Sequence, residues 1–436
     1  MPLISLAMIV KNEEANLAHC LESVKKLIDE IIIVDTGSTD NTIEIARSFG
    51  AKIHQYIWCD DFSTARNEAL KHCTGNWILI MDADEAIDPL DYDVIKNACI
   101  NPIATAYILT TRNYVLSSNL SSMDGAPTPN TSKYNEGNNL PFFMDTETIR
   151  LAKNIKGLAF EGKVHETLRS FLVSKGKTIS KLPAVIHHYG KLFVDREKHK
   201  STYYLMLASQ EAEKNPKDKW AIYNLLQQAL KAGEWEMALR AARDGLQLGS
   251  DLEPMILFGG GFALQQLGKH TEAIDFFDWL LDKIPNHSLA LLHKGSSYMA
   301  LGNFNTARQL MLQSIELEPK NIQAYGCLAE LELQVNNISA ARSIALEALA
   351  ISPSEPELYN LLINIELTIA NVSGAATSAL RAIQNCPNAE NSTWYGLATA
   401  YLLQSGEMDV GKSILEAGLK AFPDDPELKQ LLKSSY

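Results

Sequence analysis

Four prolines, Pro285, Pro319, Pro353 and Pro387, are evenly spaced along the chain. Four alanines, Ala273, Ala307, Ala341 and Ala375, keep the same interval at a different phase. Nothing else in the sequence narrows the fold so far. The interval is about 34 residues, the length of one helix–turn–helix unit in a stacked array. Two residue types sharing one period, each in its own phase, mark a chain of stacked like units. Proline ends a helix, since it has no N–H to donate and its ring clashes with the turn before it. A small residue lets two helices approach. Each unit therefore reads helix, tight turn, helix, proline. The period extends back to Pro216 and forward to Pro423. Six repeats are expected over 217–424, with a closing helix near residues 426–433. A helix over about 195–215 should join them to what precedes.

The stretch 1–195 follows a different rule. Leu3–Val10, Glu30–Asp35, Ala51–Tyr56 and Trp77–Met81 are short apolar runs of the buried-strand type. Polar stretches between them read as helices: about Lys11–Lys26 with Asn12 as cap, Asn41–Gly50 capped by Ser38 or Asp40, and Asp61–His72. Gly50 stands where a helix-ending glycine belongs. Strand and helix alternating in this way imply an α/β domain with a mostly parallel sheet covered on both faces. Ligands of such sheets bind beyond the carboxyl ends of the strands.

Acids cluster at those ends. Asp35 closes the second strand, and Asp82, Asp84 and Glu85 follow the fourth. Strand alternation sends Asp82 and Asp84 to one side and Ala83 to the other. Two carboxylates side by side need a cation, hydrogen-bond donors or water. A hard divalent cation that also takes phosphate oxygens answers that need. A solvated acidic turn answers it too.

Four linked stretches carry a resemblance: Met8–Glu14 (MIVKNEE), Ile33–Thr42 (IVDTGSTDNT), Asp61–Asn67 (DFSTARN) and Trp77–Glu85 (WILIMDADE). Together they are similar to the family-two glycosyltransferases of the GT-A fold, a Rossmann-like architecture. The likeness resumes at Arg150-Leu and Phe160–Glu166, and ends at Ile186–Gly190. It implies an inverting enzyme with a nucleotide-sugar donor. Met8, Val10 and Glu13 would line the nucleoside, and Asp35 would accept a hydrogen bond from its base. Arg66 would lie near the diphosphate or donor sugar. Asp82 would serve ribose and metal, and Asp84 would ligate Mn²⁺ or Mg²⁺ directly. His188, within His-Tyr-Gly, would supply a later metal ligand in preference to His187; a structural histidine at a sheet edge is the other reading. An inverting transfer needs one base for the acceptor. Glu161, His165 and Glu166 are the candidates; Glu166 fits the family pattern, with His165 orienting it or touching the diphosphate.

Gly295, Tyr298 and Ala307 sit at the spacing of tetratricopeptide repeats, so the second half resembles an all-α solenoid of that class. The expected division is a catalytic domain over 1–195, a linker helix over 196–216 and the repeats over 217–436. The same two modules join in glycosyltransferases that modify bacteriocin peptides on Cys or Ser. That likeness implies a UDP-sugar donor and a protein or peptide acceptor recruited by the repeats. A transferase for lipopolysaccharide core or another glycan, with repeats used for homodimerisation, is the alternative. An adaptor with an inactive transferase domain would require loss of Asp35, Asp82, Asp84 or Glu166, and all are present.

Composition closes several other routes. A net charge of −13 leaves no basic face for nucleic acid. The six cysteines are scattered without a C-x-x-C pair, as in a reducing compartment. No basic segment precedes Leu3–Val10 and no apolar run nears a membrane span of about 18–20 residues, so a cytoplasmic chain is expected. Residues 116–141, rich in Ser, Asn, Gly and Pro, read as a mobile loop near the acceptor or an insertion without function.

Overall fold

The structure is a computed structural model that describes residues 3–116, 127–131, 133–164, 166–192, 194–249, 252–386 and 391–434. Apart from short pieces of the stretch 117–129, the chain divides into one compact unit running through Phe276 and another from Phe277 onward. In chain order the elements begin with β1 (Ile4–Val10), α1 (Leu17–Val24), β2 (Glu30–Asp35), α2 (Thr42–Ser48), β3 (Lys52–Gln55), α3 (Phe62–His72) and β4 (Trp77–Ile80). There follow β5 (Glu85–Ile87), α4 (Tyr92–Ile100), β6 (Ala106–Val115), a short β7 (Thr128–Pro129), β8 (Phe142–Lys153), α5 (Arg169–Ser174), β9 (Ile179–His188) and α6 (Val194–Lys214).

The sheet runs β3-β2-β1-β4-β8-β6-β9-β5. Its first four strands are parallel, as the sequence implies. Beyond them it is mixed: β8 lies antiparallel to both β4 and β6, β9 parallel to β6, and β5 antiparallel to β9. The reason is chain length. Only Met81–Asp84 separate β4 from β5, and a parallel crossover takes roughly a dozen residues or more. β5 therefore leaves the parallel run and pairs at the far edge.

Alternation along β1 builds the two cores. Ile4, Leu6, Met8 and Val10 enter one cluster with α1 and α4; Ala7 enters the other with α3 and α5. Ser5, the polar exception, donates to Glu30, which also accepts from Lys52 and from Thr74 N–H at 2.8 Å. Helix starts differ in detail from expectation. Asp61 caps α3, accepting from Thr64 N–H at 3.1 Å. Asn12 is not the cap of α1: it sits at φ +55° and its Oδ1 accepts from Thr39 N–H at 2.8 Å, and α1 begins later, at Leu17. Residues 133–141 are anchored rather than loose, because Asp88 accepts from Asn135 N–H at 3.0 Å and Tyr134 donates to Asp91. Residues 117–126 of the same stretch lie outside the described residues.

Helices in antiparallel pairs follow. The first unit holds α7 (Lys219–Ala232), α8 (Trp235–Leu248), α9 (Glu253–Gln266) and the start of α10 (His270–Lys283). The second holds α11 (Ser288–Ala300), α12 (Phe304–Leu317), α13 (Ile322–Gln334), α14 (Ile338–Ile351), α15 (Pro356–Thr368), α16 (Val372–Asn385), α17 (Ser392–Gln404), α18 (Met408–Ala421) and α19 (Pro426–Ser434). Pro319 and Pro353 each fall just beyond the helix they end; Pro387 lies outside the described residues. A Cβ on Gly295 would stand 3.2 Å from Ala307 O, so the small residues do permit the close pairing of α11 and α12. The period also writes a polar clamp. Arg308 and Asn337 hold Glu332, and one period further on Arg342 and Asn371 hold Glu366. Both glutamates are buried, where an unpartnered carboxylate would be costly.

Glu30 makes a pH prediction. Burial works to raise its carboxyl, but the bonds from Lys52, Ser5 and Thr74 outweigh it and bring it down to about 2. A depressed carboxylate stabilises the fold above its unfolded value near 4.5 and loses that contribution as pH falls toward 2. Glu30→Gln is therefore expected to lower stability at pH 7 by about 1–3 kcal/mol. In thermal melts the gap to wild type should shrink below about pH 4, where the carboxylate of the unfolded chain takes up a proton and that of the folded chain does not.

Candidate active site

The carboxyl end of β4 and the turn after it carry the acids, and two arginines organise them. Arg66, on α3, donates from Nη2 to Asp82 Oδ1 at 2.8 Å and from Nε to Glu166 Oε1. The side chains of Arg66 and Glu166 are largely buried, 12% and 11% exposed. Arg66 Nη1 is buried with no hydrogen-bond partner among the described residues. Arg150, on β8, donates to buried Glu85 at 2.6 Å and reaches within 3.9 Å of Asp82. Glu85 in turn accepts from Asp82 N–H at 2.8 Å, which fixes the backbone from which Asp82 projects. Burial would raise the Asp82 carboxyl, yet Arg66 and then Arg150 hold it well below the usual carboxylate range. Burial pushes Glu85 up to about 7 against the pull of Arg150.

The next segment of the same turn meets β9. His188 Nε2 lies 3.5 Å from Asp84 Oδ1, and Tyr189 N–H donates to Asp84 O at 3.0 Å. His188 Nδ1 lies 2.8 Å from Asn113 Oδ1. The Asn113 amide NH₂ donates to Thr111 O, Met144 O and Thr146 Oγ1, so its Oδ1 must be the acceptor. His188 therefore carries its proton on Nδ1 and turns Nε2 to Asp84. Burial lowers the His188 pKa, but Asp84, Glu85 and Asp82 together raise it above its usual value. Gly190 closes this corner: a Cβ there would lie 2.5 Å from Asp84 Oδ2 and 2.6 Å from His188 Nε2. His187 points to a different role. It is fully buried, bonds Tyr114 through Nδ1 at 2.8 Å, and is pushed down to about 4 by burial.

The segment bearing Glu166 is tied to the same helix. Asn67, the neighbour of Arg66, accepts from Phe160 N–H at 2.7 Å and donates to Phe160 O at 3.0 Å. The stretch Asp61–Asn67 thus supplies a cap, a cation and a clamp. Glu161 exchanges backbone hydrogen bonds with Thr167, and its side chain is exposed. His165 lies outside the described residues.

The remaining candidate residues are engaged as follows. The side chains of Met8 and Val10 are 1% and 3% exposed within the core, so they could line a nucleoside only through their backbone. Glu13 is spent locally: its N–H donates to Thr42 Oγ1 at 2.7 Å and its carboxylate accepts from Asn16. Asp35 is 1% exposed and accepts N–H bonds of its own loop, from Gly37 at 3.3 Å and Ser38 at 3.1 Å. A nucleobase would have to share it. No group of three or more His, Cys, Asp or Glu side chains is arranged to hold a metal among the described residues. Asp82 is paired with Arg66, which leaves Asp84 and His188 as a two-donor corner. A carboxylate with an imidazole suits a cation such as Mn²⁺ whose remaining positions go to water and substrate oxygens. The residues present fit such a partial site. Asn113, Arg150 and Asn67 were not anticipated as parts of it; Asn113 offered no sequence signal, and the other two lay inside stretches already marked.

Residues 5–146 match the family model of glycosyl transferase family 2, and residues 292–356 match that of the tetratricopeptide repeat. A TPR repeat-containing protein of Synechococcus elongatus is 30% identical over 263 residues, 58% of this chain and 59% of that protein. An uncharacterized glycosyltransferase of Rickettsia typhi is 41% identical over 93 residues, 21% of this chain and 32% of that one. The SPbeta prophage-derived glycosyltransferase SunS of Bacillus subtilis is 40% identical over 85 residues, 19% and 20% of the two chains. The chain thus spans less than two thirds of each of these relatives. It joins a family-two glycosyltransferase domain to tetratricopeptide repeats. No described helix is long and apolar enough to cross a membrane.

Arg66 neutralises Glu166, 11% exposed, and Asp82, 35% exposed, and removing it leaves both carboxylates without their shared cation. Arg66→Met is expected to lower stability by about 2–4 kcal/mol, read from the shift of the urea midpoint.

Proposed function

We propose that the chain is an inverting glycosyltransferase that moves a sugar from a uridine-diphosphate donor to a protein or peptide acceptor, with a divalent cation at Asp84 and His188. One observation carries this reading: Arg66 bridges Asp82 and Glu166 while keeping a buried, unpartnered Nη1. A buried guanidinium N–H without an acceptor is costly unless a ligand oxygen takes it. A diphosphate oxygen is the natural acceptor, since a planar guanidinium matches phosphate geometry.

The residues then divide the work. Asp82 aims Arg66, and Glu85 with Arg150 fixes Asp82. Asn113 holds His188 in the tautomer that offers Nε2 beside Asp84. When bound there, the cation supplies Lewis-acid stabilisation of the charge that develops on the departing nucleoside diphosphate. Glu166 takes the proton of the acceptor's attacking hydroxyl or thiol as the new bond forms at the sugar. The pull of a donor phosphate on Arg66 would loosen its hold on Glu166, coupling donor binding to release of the base. The repeat helices supply a surface for a polypeptide, the usual employment of such arrays.

Three experiments test the reading. Hydrolysis of UDP-glucose and UDP-N-acetylglucosamine with Mn²⁺ should be detectable in the full chain and absent in Asp84→Ala. Glu166→Gln should keep donor affinity while turnover drops about 100-fold or more, as for loss of a general base. Unchanged turnover would move the base to Glu161 or His165. Gly190→Ala, whose new methyl collides with both donors of the corner, should weaken Mn²⁺ binding about tenfold in calorimetry, the scale of an outer-shell change at a metal. Unaltered affinity would place the ion elsewhere.

A further inference from the structure

The stretch from Phe160 to Glu166 contributes little to its own position. Among the described residues it is tied to the chain just beyond it by the bridge between Glu161 and Thr167. The rest comes from other elements. Asn67 clamps Phe160, and Phe62 N–H, at the start of α3, donates to Lys163 O at 3.0 Å. Two further grips arrive from the helical part. Glu211, on α6, accepts from Lys163 N–H at 3.1 Å through Oε2. Asn224, on α7, donates from Nδ2 to Val164 O at 3.0 Å. Consecutive residues just ahead of Glu166 are thus each held by one side chain from a different helix.

Those helices are themselves fixed to the sheet domain. Trp58 Nε1 donates to Tyr203 OH at 2.7 Å, and Tyr203 donates to Asp60. Tyr204 packs edge-on against Phe62, the first residue of α3, with ring centroids 5.5 Å apart. Leu207, Ala208 and Ala212 bury the inner stripe of α6. All of this lies inside the first compact unit, which takes in α6, α7, α8 and α9 along with the sheet.

We infer that Glu211 and Asn224 are positioning residues for Glu166, so that the joining helix and the first repeat helix are working parts of the transferase rather than a tether to it. The inference rests on the functional reading above. Its logic is geometric. Arg66 fixes the Glu166 carboxylate, whereas Glu211 and Asn224 fix the backbone two and three residues ahead of it. Without them Lys163 N–H and Val164 O lose their partners, and the segment can drift while the carboxylate stays on Arg66. A base displaced by about 1 Å costs up to about 100-fold in rate without any change in donor contacts.

The test uses the full chain. Glu211→Ala and Asn224→Asp, the latter isosteric but lacking the amide donor, are each expected to lower the kcat of Mn²⁺-dependent UDP-sugar hydrolysis about 10- to 100-fold. The donor KM and the calorimetric affinity for UDP should stay within about twofold, the scatter expected where no ligand contact is lost. Glu211→Gln keeps an acceptor oxygen for Lys163 N–H and should restore most of the turnover lost in Glu211→Ala. Limited trypsinolysis gives a reading that does not depend on activity: cleavage after Lys163 should be slow in wild type and fast in both disruptive variants. Unchanged kcat in both overturns the inference, and so does a loss of kcat matched by equal losses of UDP affinity and of melting temperature. A wild type that neither binds nor hydrolyses any donor overturns the functional reading instead. In that event cleavage after Lys163 still decides whether the two helices hold the segment.

Discussion

One guanidinium holds the amino-terminal unit's chemistry together. Asp82 arrives from the end of a parallel strand, and Glu166 from an irregular stretch far along the chain. Neither has a reason to be near the other, and like charges would keep them apart. Arg66 bonds both from a largely buried position, so their separation is set by the width of one side chain. Such an arrangement is worth little as a source of net stability, because desolvating three charges offsets much of their attraction. Its value lies in geometry: two carboxylates are held at fixed distances around one cation, with its Nη1 still unpartnered among the described residues.

The rest of that unit can be understood as support for this bridge. Asp61 starts α3 in the right place, Asn67 locks Phe160, and Arg150 secures Glu85 beneath Asp82. Asn113 performs the same service for His188. The helices after the sheet join in through Glu211 and Asn224. In the second unit the same economy appears in repeated form, where Arg, Glu and Asn recur as a clamp at one interval. There the buried carboxylate is fully answered within the fold, which is what a purely structural acid looks like. Arg66, by contrast, bonds both of its carboxylates and keeps Nη1 without a partner among the described residues.

Much of this could be read in the amino acids. The constant period of proline and alanine set the repeat architecture, because helix pairing demands small residues and chain breaks at regular spacing. Parallel strands β1 to β4 were legible because burial on both faces requires continuous apolar runs, and Asp82, Asp84, Arg66 and Glu166 stood in stretches of recognisable pattern. What escaped obeys no local rule. The departure from a parallel sheet follows from a turn after β4 too short for a crossover. Asn12 looks like a helix cap in isolation, but the loop of β2 offers it better partners. Glu211 and Asn224 are ordinary polar residues on amphipathic helices, and only the fold reveals what they touch.

The central claim is that the corner formed by Arg66, Asp84 and His188 receives a nucleotide's diphosphate and its cation. A crystal structure grown with UDP and Mn²⁺, with diffraction recorded at the manganese absorption edge, addresses it directly. The account predicts one anomalous peak in contact with Asp84 and His188, and a diphosphate oxygen bonded to Arg66 Nη1. A manganese peak away from both residues, or a nucleotide seated on another face of the sheet, would contradict it.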